Sequence, residues 1–175
     1  MSQKIVNVQK MDWYQVEDGE ERAKTQIQVG MLVTEDTPVD GNILIPCPVA
    51  GLAMPAQVHL ADNEPRPSDG AMWGVDADNA ENYIYEVGKI VQRVQTLQGY
   101  KYKIWVRNDT GTPLTLAKGD RLKPSTTTPG HFEVVTVDEA TLAGVVDLKN
   151  SPFIYTNTGE DVAAMSSSFV LVERA

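Results

Sequence analysis

Residues Gly88 to Asp109 read GKIVQRVQTLQGYKYKIWVRND, and this stretch limits the fold more than any other. In its second half Tyr100, Tyr102, Ile104 and Val106 alternate with Lys101, Lys103, Trp105 and Arg107. Apolar residues at every second position define a strand with one buried face, because successive side chains of an extended chain point to opposite sides. A first run rich in β-branched residues precedes the break at Gln98-Gly99, and two such runs around a short glycine-containing break predict a β-hairpin. Its predicted core face is Tyr100, Tyr102, Ile104 and Val106. Its other face carries Lys101, Lys103 and Trp105, which suits contact with another macromolecule better than a pocket for chemistry.

The remaining chain repeats the theme. Lys4 to Val8 and Thr25 to Thr34 read as extended, and Asp40-Gly41 is a turn signal. In NILIPCPVAGLAMPAQVHL, Asn42 to Leu60, the prolines Pro46, Pro48 and Pro55 forbid a continuous helix and confine any strand to an edge or a bulge. Such an apolar run belongs to the core or to a self-association surface, and core is the commoner use. Ala61 to Ala80 is a Pro-, Gly- and Asp-rich loop holding Trp73, and loops of this length are usually functional or flexible. Asp109 to Pro113, Lys118-Gly119-Asp120, Ser125 to Gly130 and Thr158-Gly159 read as turns or polar loops. His131 to Val137, Leu142 to Leu148, Pro152 to Thr156 and Ser168 to Glu173 read as strands; Asp138 to Val145 could instead hold one helical turn. Short strands at this spacing, with no long segment of helical period, predict an all-β fold: a single β-barrel or β-sandwich domain over residues 25–175. Residues 1–24, polar and sparsely apolar, read as an extended N-terminal arm or edge element that folding does not require.

Composition narrows the functions. The net charge of −9 argues against nucleic acid as a partner, since phosphate binding needs a cationic surface. It is compatible with docking onto a basic protein surface. Cys47 is the sole cysteine, so no intramolecular disulfide and no Cys-rich zinc framework can form, and it reads as a small buried hydrophobe. No apolar run approaches the ~20 residues that span a bilayer, and MSQKIVNVQKMDW lacks the apolar stretch of a secretion signal. A soluble chain without membrane attachment is expected.

The candidate chemistry is thin. His59 and His131 lie far apart with neither metal-ligand spacing nor an adjacent nucleophile. Ser166, Ser167 and Ser168 precede a strand without the glycine context of a nucleophile elbow and read as loop residues. Asp76, Asp78, Asn79 and Glu81 suggest a calcium loop, but its next ligand would fall on Ala80, its invariant glycine on Glu81 and its closing glutamate on Val87. No catalytic residue, metal or cofactor is therefore expected. The residues singled out as protein contacts are Trp13, Trp73, Lys101, Lys103 and Trp105.

Two family resemblances bear on function. VRNDTGTPLTLAKGDRL, Val106 to Leu122, is similar to the late strand pair of the dUTPase family, with Gly119 permitting and Asp120 capping the turn. That family's glycine-rich uracil-binding motif and its phosphate-capping tail are missing, and with them the active site. TLAKGDRLKPSTTTPGHFEVVTVDEATLAGVV, Thr115 to Val146, resembles the head decoration or structural cement proteins of tailed bacteriophages. There a "GD.L" strand is followed by a small polar turn, a strand and an Ala-Gly-Val segment, here Ala143-Gly144-Val145, and GNILIPCPVAGLAMPAQV looks like the way such proteins begin. The resemblance implies a non-enzymatic virion protein, made in the host cytoplasm, that sits on the capsid exterior as a homo-oligomer and bridges major capsid protein subunits. A tail or carbohydrate-binding β-module is the alternative; the latter would need Trp13, Trp73 and Trp105 as its platform.

Overall fold

A computed structural model of the chain describes residues 16–17, 21–47, 59–61, 83–135 and 152–175. The described chain is all-β, running from β1 (Val16–Glu17) through β2 (Arg22–Ala23), β3 (Ile27–Gln28), β4 (Leu32–Val39), β5 (Asn42–Pro46), β6 (His59–Ala61), β7 (Ile84–Tyr85) and β8 (Arg93–Gln95). It continues with β9 (Lys101–Asn108), β10 (Leu114–Leu116), β11 (Arg121–Pro124), β12 (Phe132–Val134), β13 (Phe153–Tyr155), β14 (Glu160–Val162) and β15 (Ser166–Arg174).

The centre of the fold is a closed barrel in the order β11-β12-β9-β15-β13. Its longest ladder is antiparallel, β9 against β15, from Ser166 opposite Asn108 to Glu173 opposite Lys101. Because the register places Tyr102 opposite Val172 and Ile104 opposite Val170, the apolar halves of both alternating strands turn to the same side. All of these side chains are buried, as are Val106, Leu122, Phe132 and Phe153. Phe153 packs edge-to-face on Phe132 at 5.2 Å and on Tyr102 at 6.2 Å, so rings fill the barrel. Closure leaves the barrel no free sheet edge.

Beside it lies a six-stranded sheet in the order β1-β8-β6-β4-β5-β2. Leu32, Leu60 and Val94 are paired neighbours across three of its strands and are fully buried. β4 and β5 are joined at Asp40-Gly41, where φ is +51° and +79° and Val39 pairs with Asn42. Two consecutive positive φ values are what a tight two-residue hairpin turn requires, and an Asp-Gly pair supplies them. The free side of β2 is held by Ala23 N–H donating to the Lys89 carbonyl (2.9 Å) and Val91 N–H to the Glu21 carbonyl (3.0 Å). Residues 88–91 lead into β8, so this sheet also curls back on itself. Two further ladders, β3 with β7 and β10 with β14, complete the fold.

Three expectations are corrected. The hairpin over Gly88–Asp109 does not form: Gly99 (φ +80°) makes the turn, but β8 pairs with β1 and β6 while β9 pairs with β12 and β15. The turn is anchored to the end of β15, with Gly99 N–H donating to Arg174 O (2.7 Å) and Arg174 N–H to Tyr100 O (2.9 Å). β15 offers β9 eight paired residues, whereas β8 has only three to offer. Ser166 to Ser168 are the first residues of β15 rather than a loop, continuing its ladder to Asn108. Thr25 to Thr34 is not one extended run, because Gly30 (φ +86°) turns the chain between β3 and β4. Within residues 1–24, β1 and β2 are the two outer strands of the six-stranded sheet, with Ala23 fully buried and Glu21 bonded to Arg93 at 3.1 Å.

Trp13, Lys4–Val8, residues 48–58, the loop 62–80 with Trp73, the Asp76–Glu81 group and residues 138–148 lie outside the described residues.

Candidate protein-contact surface

The outward face of β9 carries three of the predicted contact residues, and the fold uses most of that face internally. Across the β9–β15 ladder Trp105 stands opposite Phe169 and Lys103 opposite Leu171. The Trp105 and Phe169 rings stack at 5.0 Å with planes 30° apart, and Lys103 Nζ lies 5.5 Å from the Phe169 ring centre. The indole N–H donates to the Val29 carbonyl at 2.7 Å, across to the turn between β3 and β4. Gly30 follows, where a methyl group would fall well inside the van der Waals envelope of Phe169 and 3.3 Å from the Lys103 carbonyl. Trp105 and Phe169 are thus half-buried in the seam between barrel and sheet, and Trp105 is no free aromatic anchor. Lys101 stands opposite Glu173, a favourable cross-strand pairing of opposite charges.

The same seam explains His131, which is buried, with its ring 6.2 Å from that of Trp105. Leu32 N–H donates to Gly130 O (2.9 Å) and Gly130 N–H to Cys47 O (3.0 Å), joining sheet to barrel through the main chain. Side chains of Pro46 and Met31 approach Gly130 so closely that a methyl there would sit 3.0 Å from the first. Burial lowers the His131 pKa; Arg107 lowers it further, while its contact with Pro129 O and the charge of Asp109 raise it. Nδ1 lies 3.1 Å from the Pro129 carbonyl, which selects the tautomer protonated at that nitrogen. Cys47 is buried as expected, and that burial pushes its thiol pKa up.

At one end of the barrel the polar loops converge on Asn108, which the alternation of β9 turns inward at 2% exposure. Its amide nitrogen donates to Thr112 O (2.7 Å) and Val162 O (3.3 Å), and its amide oxygen accepts from Thr110 N–H (3.1 Å) and Thr110 Oγ1 (2.8 Å). This one side chain therefore ties the 109–113 loop to the turn after β14. Asp109 accepts from Arg107 Nε at 2.7 Å and from the Thr127 hydroxyl, and the Thr127 bond followed by the Arg107 bond holds its carboxyl below the usual range. Asn108 was readable as the next inward position after Val106. Its role as a clamp was not, because Val162, at the end of β14, lies 54 residues away and only the tertiary fold brings its carbonyl to Asn108.

Among the described residues no three His, Cys, Asp or Glu side chains form a group that could hold a metal ion. No family model matches the chain, and no curated protein matches it in sequence.

Proposed function

We propose that the protein is a non-enzymatic virion component that decorates the capsid exterior and bridges major capsid protein subunits as a homo-oligomer. The observation that carries the reading is the form taken by the segment resembling cement proteins. Over its described part, the "GD.L" pattern is β10, a tight turn capped by Asp120 accepting from Ala117 N–H (2.8 Å), then β11, the polar loop 125–130, and β12. β11 and β12 pair antiparallel within the barrel wall, so the part of the pattern from Arg121 to Val134 is one hairpin, while β10 ahead of it pairs with β14. A closed barrel without free edges can be crowded on a shell without strand-to-strand aggregation, and many copies of a modest contact hold by avidity. The carbohydrate-binding alternative is disfavoured by Trp105, whose indole is committed to Val29 and Phe169.

Co-sedimentation with capsids lacking the protein tests this. The full chain pellets with particles, and a chain without residues 1–14, which keeps β1 and β2, melts at the same temperature but attaches more weakly. Equal attachment by the truncated chain removes the arm from the contact. A full chain that binds no capsid and instead turns over a nucleotide or glycan overturns the reading.

A further inference from the structure

We propose that the turn Ala163–Met165, clamped to the 109–113 loop by Asn108, is a preformed apolar knob with Met165 as its anchor. Its partner is a capsid subunit presenting an apolar socket with a basic flank, an assignment that rests on the function proposed above.

The backbone singles out Met165. It is 62% exposed and holds φ +58°, in the left-handed region that side chains avoid. Its turn closes with Ser166 N–H donating to Ala163 O (3.2 Å), which puts Met165 in the third place. Among the described residues five other turns close the same way, Gln28–Met31, Glu86–Lys89, Leu97–Tyr100, Ala117–Asp120 and Thr128–His131. In each the third residue is glycine, Gly30, Gly88, Gly99, Gly119 or Gly130, at φ +86°, +82°, +80°, +97° and +74°. Glycine would be the unstrained choice at 165 as well. The chain instead keeps a large apolar side chain, in a strained conformation, in water. Strain combined with exposure stabilises nothing within the fold, and held strain of this kind clusters at ligand and partner contacts. Val39, Ile84 and Val87 are exposed too, but on ordinary backbone, where isolated apolar residues need no explanation.

The surroundings have the anatomy of a contact. Ala163 and Met165 are exposed and apolar, and Thr110, Thr112 and Asp161, on the segments that Asn108 ties together next to this turn, are exposed and polar. An apolar centre inside a polar rim matches interface hot spots, and a thioether adapts its shape to an irregular socket. The loops are already ordered by the bonds of buried Asn108, so docking loses little further entropy. Asp161 accepts from the neutral Thr115 hydroxyl at 2.9 Å. With the net charge of −9, this exposed carboxylate beside the knob calls for a cationic flank on the partner.

The test pairs Met165→Gly with Met165→Asn, both of which suit a left-handed backbone, in capsid co-sedimentation alongside thermal melts. Expected are melting points at or above that of the unaltered chain, with apparent affinity for capsids reduced about tenfold or more. Equal binding by the variants and the unaltered chain overturns the knob and leaves the capsid reading standing. A melting point that falls in both variants shows Met165 packed into its own fold and also overturns it. An unaltered chain that binds no capsid overturns the partner assigned here together with the function.

Discussion

Replacing Gly30 with alanine tests whether barrel and sheet are packed as one body. Gly30 sits at φ +86° between β3 and β4, its N–H donating to Ala61 O at 2.8 Å. Alanine there carries the left-handed penalty, roughly 1–2 kcal/mol. Its methyl would also collide with Phe169, a ring confined by Trp105 stacked at 5.0 Å and Lys103 Nζ at 5.5 Å. Overpacking of that kind adds about 1–3 kcal/mol, for a total on the order of 2–5 kcal/mol. Gly119→Ala is the control: φ is +97°, but nothing lies within 4 Å of the added methyl, so only the backbone penalty applies. Urea unfolding followed by circular dichroism gives both values. The excess of Gly30→Ala over Gly119→Ala should vanish in a Phe169→Ala background, a coupling of about 1–3 kcal/mol. Equal losses for the two alanines in the otherwise unaltered chain, or no coupling to Phe169, would refute the packed seam.

Two more outcomes follow from the core and the seam. Ile104→Ala, which empties a fully buried position in the barrel, should cost about 2–5 kcal/mol in the same unfolding assay, and a loss within error would mean that β9 is turned inside out. Because the folded-state pKa of His131 is lowered, chiefly by burial, its contribution is fully present above the unfolded value near 6.5 and is lost as pH falls below it, when only the unfolded chain gains the proton. The melting temperature should therefore drop as pH falls below about 6.5, and His131→Gln should flatten that slope. Asp36 and Asp109, whose pKa values are lowered by bonds to Lys24 and Thr127 respectively, act only in the more acid range near and below the ordinary carboxylate value.

What the sequence determined by itself was that the chain is built of strands, which face of β9 is apolar, and where several of the turns fall. Alternation put Tyr102, Ile104 and Val106 inward, Asp40-Gly41 and Lys118-Gly119-Asp120 made turns, and Cys47 went to the interior, because these outcomes depend on side-chain period and on local φ preferences. Pairing was another matter. A strand's pattern says which side is buried and leaves open which neighbour supplies its main-chain hydrogen bonds, so the short break at Gly99 suggested β8 as partner where β15, far along the chain, offered the longer ladder. The surroundings of Trp105 were hidden for the same reason. Standing off the apolar face of β9 places a side chain outside the barrel, but only the arrival of Val29 and Gly30 from another sheet makes that outside an interior seam. Met165 shows the limit from the other direction. Nothing in AAMSSS marks a left-handed residue; Met165 takes that conformation at the junction between buried Val162, which ends β14, and Ser166, which begins β15 opposite Asn108, and that junction exists only once the tertiary fold has closed.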